Sequence, residues 1–283
     1  MLWFWLSLLA ALIFSALPLM MRIFAVNSTD QRAFSFVFNC YASSFAIILY
    51  LIETRGVLTI PNNLSPFQIL LIFFAAILYG LYERFNYKAR KLVDASTFVI
   101  LFQLNPVIAF VISVTLLGES YTPAKLTGML LVVIASILAI YEKGHFKMGK
   151  QLFIPLLIIV FLAFANTIDK PASFGIPTGF YNVLVWVPAI LIVFIPKISF
   201  AAIKIELKTG SWKVALAAIL NVISYYIFIK ALAIADASKV IPITSTSTVL
   251  VVLGGIFLLN ERTNLGKKIF AGFLVFIGVL LLI

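Results

Sequence analysis

The chain is short of the residues that most catalytic and metal sites require. It has 283 residues, of which one is cysteine and one is histidine. Cys40 alone excludes an internal disulfide, a cysteine cluster and a Cys-x-x-Cys redox site. His145 alone leaves no material for a histidine-based metal site or a catalytic triad. We also find no phosphate-binding loop and no nucleophile–base arrangement. We therefore expect no enzymatic activity, no metal and no cofactor.

Charged residues are also scarce, at 11% of the chain, against about 25% in soluble domains. So few charges cannot cover the surface of a soluble protein, and the chain is predicted to be a multi-pass membrane protein. The net charge of +11 does not indicate nucleic-acid binding. The positive residues lie between hydrophobic segments, where they serve as topology signals and contact anionic lipid headgroups.

Hydrophobic residues are abundant, at 63% of the chain, and they fall into ten runs too long for barrel strands. The predicted spans are 2–21, 34–52, 67–87, 95–117, 123–141, 152–168, 178–195, 212–235, 237–259 and 265–283. The first run has no basic start and no convincing cleavage site, so it is interpreted as a span rather than a signal peptide. A basic linker, 142–151, separates two halves, 1–141 and 152–283, of five spans each.

The two halves repeat one another at an offset of 142 residues. The recurring residues are Lys88, Ala89, Asp94, Ala95, Ser96 and Glu119, which return as Lys230, Ala231, Asp236, Ala237, Ser238 and Glu261. Because five is odd, the second half must enter the membrane in the opposite direction to the first. The predicted fold class is an all-α integral membrane protein, with ten transmembrane helices as two inverted five-helix repeats.

Short motifs recur in order in the two halves. Asn105-Pro106 precedes Leu117-Gly118-Glu119 and then Gly128; Ala237-Ser238 precedes Leu259-Asn260-Glu261 and then Gly272 and Gly278. In this order the motifs resemble the EamA-like transporter family of the drug/metabolite transporter superfamily. The chain departs from the pattern at Asn260, where glycine is preferred, and at Thr248, where proline is frequent.

The resemblance implies a secondary transporter with a central cavity lined mainly by the third, fourth, eighth and ninth spans. It also implies cytoplasmic termini. The charges indicate the opposite orientation, because sixteen of the 21 Lys and Arg residues lie on the side away from the N-terminus and the positive-inside rule makes that side cytoplasmic. The orientation therefore stays open.

Polar residues inside these spans are the candidate substrate-binding residues. In the third span, Tyr79, Tyr82, Glu83 and Asn86 share one helical face. The full candidate set is Tyr79, Tyr82, Glu83, Asn86, Gln103, Asn105, Asn221, Ser224, Tyr225, Thr244, Ser245 and Thr248. For the hydroxyl run 244–248 the alternative is hydrogen bonding back to helical carbonyls or helix-to-helix packing.

Glu83 is the most informative candidate, since a carboxylate inside a span usually faces protein or a water-filled path. The functional interpretation is a proton-coupling or cation-binding group. The alternative is an interfacial ion pair with Arg84 or Lys88. Asp169 and Lys170 are expected to be interfacial as well.

Four further residues are assigned gating or structural roles. Pro106 and Pro242 each permit a kink, with a tolerated membrane kink as the alternative. Glu119 and Glu261 lie at predicted helix ends. Asp94 and Asp236 are interpreted as helix caps.

The predicted function is secondary active transport, as a permease or exporter, of small metabolites such as amino acids or amphipathic organic compounds. Alternating access would operate at a midplane cavity between the repeats. The expected partners are a small-molecule substrate, membrane lipids and protons as coupling ion, in a monomer or dimer in the cell membrane. The alternative is a non-transporting or lipid-handling scaffold, which predicts no polar cavity.

Overall fold

A computed structural model of the protein describes residues 2–57, 64–116, 122–142, 145–146, 150–245, 247, 251, 254 and 265–282. Across these residues the helices are α1 (Leu2–Asn27), α2 (Gln31–Glu53), α3 (Pro66–Leu92), α4 (Ala95–Phe102), α5 (Leu104–Leu116), α6 (Pro123–Ile140), α7 (Lys150–Ser173), α8 (Thr178–Phe194), α9 (Phe200–Leu232), α10 (Ala237–Ser245) and α11 (Leu265–Leu282). Two two-residue strands, β1 (Tyr141–Glu142) and β2 (His145–Phe146), pair antiparallel in the linker. Glu119, Thr248 and Glu261 lie outside the described residues.

The predicted helical, membrane-embedded character is confirmed. Five segments in the described part of the chain are long and apolar enough to cross a membrane: Leu2–Phe24, Gln31–Glu53, Pro66–Leu92, Gln151–Ser173 and Trp212–Leu232. Shorter apolar helical segments are Ile100–Ile112, Pro123–Ala135 and Thr178–Phe194. The count of ten spans and the inverted arrangement of the halves stay predictions.

Several helices extend past their predicted apolar spans, and α9 and α3 are two examples. The helix α9 begins at Phe200, twelve residues before the predicted start at 212, and α3 continues to Leu92, five residues past 87. Both extensions carry charges, so hydropathy ends there while the helix continues. Arg90 and Lys91 lie in the last turn of α3, where cations favour the negative end of the helix dipole.

The predicted fourth span is broken near its middle. The helix α4 ends at Phe102 and α5 begins at Leu104, with Gln103 between them. Pro106 is the cause, because it has no N–H to donate to the carbonyl of Phe102, four residues before it. The break places the side chains of Gln103 and Asn105 at a bend in the helix.

Helix pairs meet closely where glycine removes a side chain. The helix α3 packs along α7 and α8, α1 along α9, and α6 along α11. A Cβ atom on Gly278 of α11 would lie 2.7 Å from the carbonyl oxygen of Gly128 on α6. The two glycines of the sequence motif are therefore a pair that lets two helix backbones approach.

Candidate functional site

A central cavity lies among eight helices, next to the break between α4 and α5. Its walls are formed by α1, α3, α4, α5, α7, α8, α9 and the stretch that begins with α10. The cavity volume is about 170 Å³, whereas a cavity for one water needs about 10–15 Å³ on the same measure. The cavity therefore has room for a small organic molecule.

The wall combines polar and aromatic side chains. The polar and aromatic-polar lining residues are Tyr79, Tyr82, Glu83, Arg90, Gln103, Asn105, Asn166, Trp186, Asn221, Tyr225, Thr244 and Ser247. Those on α3 lie in its second half, and Phe14, Leu17, Pro18 and Met21 lie in the second half of α1. The cavity thus runs from the middle of the bundle toward the side on which α1 and α3 end.

Eight of the twelve predicted substrate-binding residues meet in this wall: Tyr79, Tyr82, Glu83, Gln103, Asn105, Asn221, Tyr225 and Thr244. Asn86 lies behind it, where its Oδ1 accepts a hydrogen bond of 2.8 Å from Arg90 Nε. Ser224 is buried and its hydroxyl donates to the carbonyl of Leu220 at 2.6 Å. Thr248 and the side chain of Ser245 lie outside what the structure describes.

Glu83 is buried, with 2% of its surface exposed, and faces the cavity. The alternative ion pair with Arg84 or Lys88 is not found in the described part of the chain. Arg84 donates to the carbonyls of Ile192, at 2.7 Å, and Ile195, and Lys88 is exposed. The polar neighbours of the Glu83 carboxyl are Asn39, Asn86 and Arg90.

Arg90 is a cavity residue that the sequence prediction missed. Its guanidinium lies 4.5 Å from the ring centre of Phe98, a cation–π contact, and Asn86 fixes its Nε. The missed signal was the spacing, since seven residues after Glu83 is two helical turns along the same face. Hydropathy had assigned Arg90 to a basic loop.

Four buried polar atoms in the cavity wall have no hydrogen-bond partner among the described residues. They are Glu83 Oε2, Gln103 Oε1, Asn105 Nδ2 and Trp186 Nε1. Buried polar groups are nearly always paired, so each unpaired atom requires an explanation. These two acceptors and two donors belong to residues that line one cavity, where a polar ligand could pair with them.

Asp169 is the second residue whose surroundings the sequence did not reveal. Its interfacial depth stays a prediction, while its side chain is fully buried in the bundle and accepts hydrogen bonds from three tyrosines. Tyr79 and Tyr225 donate to Oδ2 at 2.5 Å and 3.1 Å, and Tyr181 donates to Oδ1 at 2.7 Å. The tyrosines come from α3, α9 and α8, so no local pattern around Asp169 could have revealed them.

Polar contacts close the bundle on the side where α7 ends and α8 begins. Glu53 Oε2 accepts from the backbone N–H of Gly179 at 2.6 Å, and Glu53 Oε1 accepts from Tyr226 at 2.8 Å. Lys170 Nζ lies 2.7 Å from Asp236 Oδ1. Hydrogen bonds from Lys170 and Lys239 lower the pKa of Asp236 below its ordinary value.

Asp236 also has the backbone role of a cap, because its carbonyl accepts from Lys239 and Val240 in the first turn of α10. Asp94 occupies the N-cap position of α4 but makes no side-chain capping bond. Its carboxylate lies 3.9 Å from Arg22. Both aspartates therefore begin helices while their side chains form ion pairs.

The hydroxyl run shows both predicted behaviours at once. Thr244 and Ser247 line the cavity, and their hydroxyls also donate to helical carbonyls, those of Ile241 at 2.8 Å and Thr244 at 3.1 Å. Pro242 lies inside α10, and its side chain is not among those described. Among the residues searched, no group of three or more His, Cys, Asp or Glu is placed to hold a metal ion.

Comparison with known proteins gives a family and a fold. The model of the EamA-like transporter family matches residues 1–141 and 150–283, which confirms the resemblance read from the motifs. No curated protein matches the chain. A solved structure titled "Crystal structure of protein" aligns with a TM-score of 0.70 over 99% of this chain and 94% of that one, at 18% identity. At that identity the similarity describes the fold alone.

Proposed function

The chain belongs to the EamA-like transporter family, and from this membership and the central cavity we propose that it is a secondary active transporter of small organic metabolites. It is an integral, multi-pass membrane protein, and we place it in the cell membrane.

One observation carries the proposal. The cavity wall holds buried polar atoms that no described residue satisfies, including Glu83 Oε2 and Trp186 Nε1. Leaving such groups unpaired costs about 1–3 kcal/mol each, a cost that a bound ligand would remove. A membrane scaffold without a ligand has no use for such a wall, so the cavity favours transport over that alternative.

The chemistry of the wall indicates which solutes fit. Glu83 offers a negative charge for an amine, and Arg90 offers a positive charge for a carboxylate or another acceptor. Trp186, Tyr79 and Tyr225 offer aromatic surface for an apolar part of the solute. We therefore propose amino acids and amphipathic organic compounds that carry an amine as substrates.

Alternating access is the proposed mechanism. Both halves contribute to the wall, with α1, α3, α4 and α5 from the first and α7 to α10 from the second. If the halves are inverted repeats, they can rock about the substrate and open the cavity to each side in turn. The break at Gln103 gives α4 and α5 a bend at which they can move separately.

Protons are the proposed coupling ion, with Glu83 as the residue that binds them. Its carboxyl is buried, faces the cavity and retains an unpaired oxygen. A proton and an amine would then compete for one acceptor. Exchange of one for the other is a simple form of antiport.

The test uses purified protein in two steps. Thermal unfolding is first measured against a panel of amino acids, amines and organic acids, since a ligand that binds the folded state raises its apparent stability. Ligands that do so are then tested for counterflow in proteoliposomes. We expect uptake of at least one amine-bearing ligand, and its loss in Glu83→Gln.

The matched control is Glu206→Gln. Glu206 is as buried as Glu83, at 1% exposure, but its Oε1 accepts from the backbone N–H groups of Thr29 and Asp30, away from the cavity. This variant should bind ligand normally once folded. A folded protein that binds and moves no solute across the whole panel would contradict the proposed function.

A further inference from the structure

The Asp169 cluster closes the cavity at the side where α1 begins. The rings of Tyr79 and Tyr225 meet edge to face with centres 5.5 Å apart, and both line the cavity. Behind them Asp169 and Tyr181 are fully buried. The same carboxylate thus joins α7 to α3, α8 and α9 at the closed end.

Among the described residues, no cation contacts the Asp169 carboxyl. On the helices in contact with α7, the groups that face it are Tyr79 of α3 and Tyr225 of α9, with Tyr181 of α8 completing the cluster. The helices α4 and α5 contain no ionisable residue, and Lys239, the ionisable residue of α10, contacts Asp236 instead. Lys170, the next residue along α7, also contacts Asp236.

The hydroxyl of Tyr79 lies between two acceptors. Its oxygen is 2.5 Å from Asp169 Oδ2 and 2.8 Å from Asn166 Oδ1. A hydroxyl has one proton and can donate it to only one of them. When Asp169 is a carboxylate, Tyr79 donates to it. When Asp169 carries a proton on Oδ2 and donates it to Tyr79, the Tyr79 hydroxyl must donate to Asn166 instead.

We propose that Asp169 is a proton-binding site whose protonation releases the closed end of the cavity. As a carboxylate it accepts three O–H bonds from three helices, and charge-assisted bonds are about twice as strong as neutral ones. One added proton neutralises the carboxylate, turns one acceptor position into a donor and reverses the Tyr79 bond toward the cavity residue Asn166. The interhelical attachment weakens, and α3, α8 and α9 can separate from α7.

This inference rests on the proposed function only for its use in transport, because opening of the cavity end is measurable without any substrate. A single-cysteine reporter, Val185→Cys, is placed in the cavity wall on α8, in a Cys40→Ser background. A membrane-impermeant maleimide is applied from the side on which α1 begins. Labelling rates are recorded from about pH 5 to about pH 9, a range that spans the ionisation of a perturbed carboxyl.

Asp169→Asn in the same reporter background is the reference, since it cannot ionise and should stay released. At each pH the labelling rate of the protein with Asp169 is divided by that of the Asp169→Asn variant. This ratio cancels the ionisation of the reporter thiol. We expect a ratio of about 0.1 at high pH, from the loss of one charge-assisted bond, rising to about 1 at low pH. A ratio that does not change with pH overturns the proposal.

Tyr181→Phe provides a second variant that leaves the carboxylate in place. Tyr181 is not among the residues that line the cavity, and its hydroxyl donates to Asp169 Oδ1 at 2.7 Å. Its loss should raise the labelling ratio at high pH severalfold, and no change would contradict the three-bond attachment. Glu83→Gln should leave the pH profile of labelling unaltered; a profile that disappears with Glu83 assigns the proton to that residue instead.

Discussion

Two buried carboxylates, Glu83 on α3 and Asp169 on α7, differ in the hydrogen bonds that they accept. Glu83 on α3 faces the cavity with one oxygen unpaired. Asp169 on α7 has three tyrosine hydroxyls around it and is bonded to Tyr79, one turn before Glu83. The open carboxylate is suited to a ligand, and the satisfied one to holding helices together.

The difference shows that burial alone does not identify a binding site. Both carboxyls are at most 2% exposed, and both lie in helices that can cross a membrane. What separates them is unused hydrogen-bonding capacity, which the cavity-lining Glu83 retains at Oε2 and which three tyrosine hydroxyls fill at Asp169. Four substitutions test this distinction.

The largest effect is expected for Glu83→Gln. Losing a charge-assisted bond to an amine costs about 3 kcal/mol, so ligand affinity should fall about a hundredfold and uptake should no longer respond to a pH gradient. Isothermal titration measures the affinity, and uptake into proteoliposomes with an imposed pH gradient measures the coupling. Unchanged pH dependence of uptake would remove Glu83 from the coupling mechanism, and Glu206→Gln controls for the loss of a buried charge elsewhere.

Gly80→Val tests whether the two carboxylates depend on the same helix contact. A Cβ on Gly80 would lie 2.9 Å from Cβ of Ile192 on α8, and overpacking of this kind costs about 1–3 kcal/mol. Because Gly80 lies between Tyr79 and Glu83, thermal stability, ligand affinity and the labelling ratio should all change. Gly266→Val is the control, since a Cβ there meets nothing within 4 Å; equal losses in both variants would contradict the contact.

Asn86→Ala should have a smaller effect that is confined to the Glu83 site. It removes the acceptor of Arg90 Nε, at a cost of about 1 kcal/mol, so the KM for a ligand with a carboxylate should rise about fivefold. The labelling ratio at Asp169 should not change. Asn182→Ala is the matched control, because Asn182 is also fully buried but donates to the Val222 carbonyl away from the cavity wall; an equal rise in KM would discount the Arg90 contact.

Asp236→Asn should have the smallest effect. The lowered pKa of Asp236 means that its ion pair stabilises the fold above the ordinary carboxyl pKa and loses that effect as the pH falls through the lower folded value. Since the side chain is 50% exposed, the contribution is below about 1 kcal/mol. Thermal unfolding near neutral pH should show a small decrease, which acid should abolish. A change in the labelling ratio would show that Asp169 is not isolated from the Lys170–Asp236 pair.

Helix caps and helix faces were predictable because they depend on neighbours in sequence. Thr122, directly before Pro123, accepts from the backbone N–H of Lys125 at 3.3 Å, which is the bond that an N-cap side chain makes. The shared face of Tyr79, Tyr82 and Glu83 follows from helical periodicity, and all three line the cavity. The start of α9 at Phe200 was missed because Lys204 and Glu206 lower the hydropathy before residue 212. These charges do not interrupt the helix.

The amino-acid sequence was enough to predict the membrane-embedded, helical character, the family and the polar face of the third helix, because these follow from composition, motif order and the period of a helix. The cluster of three tyrosines around the buried Asp169 depends on the tertiary structure. Its three partners are 90, 12 and 56 residues away along the chain, and such distances become contacts only when four helices pack together. The same packing leaves Glu83 Oε2 without a hydrogen-bond partner among the described residues, and the proposed transport function depends on this unpaired acceptor.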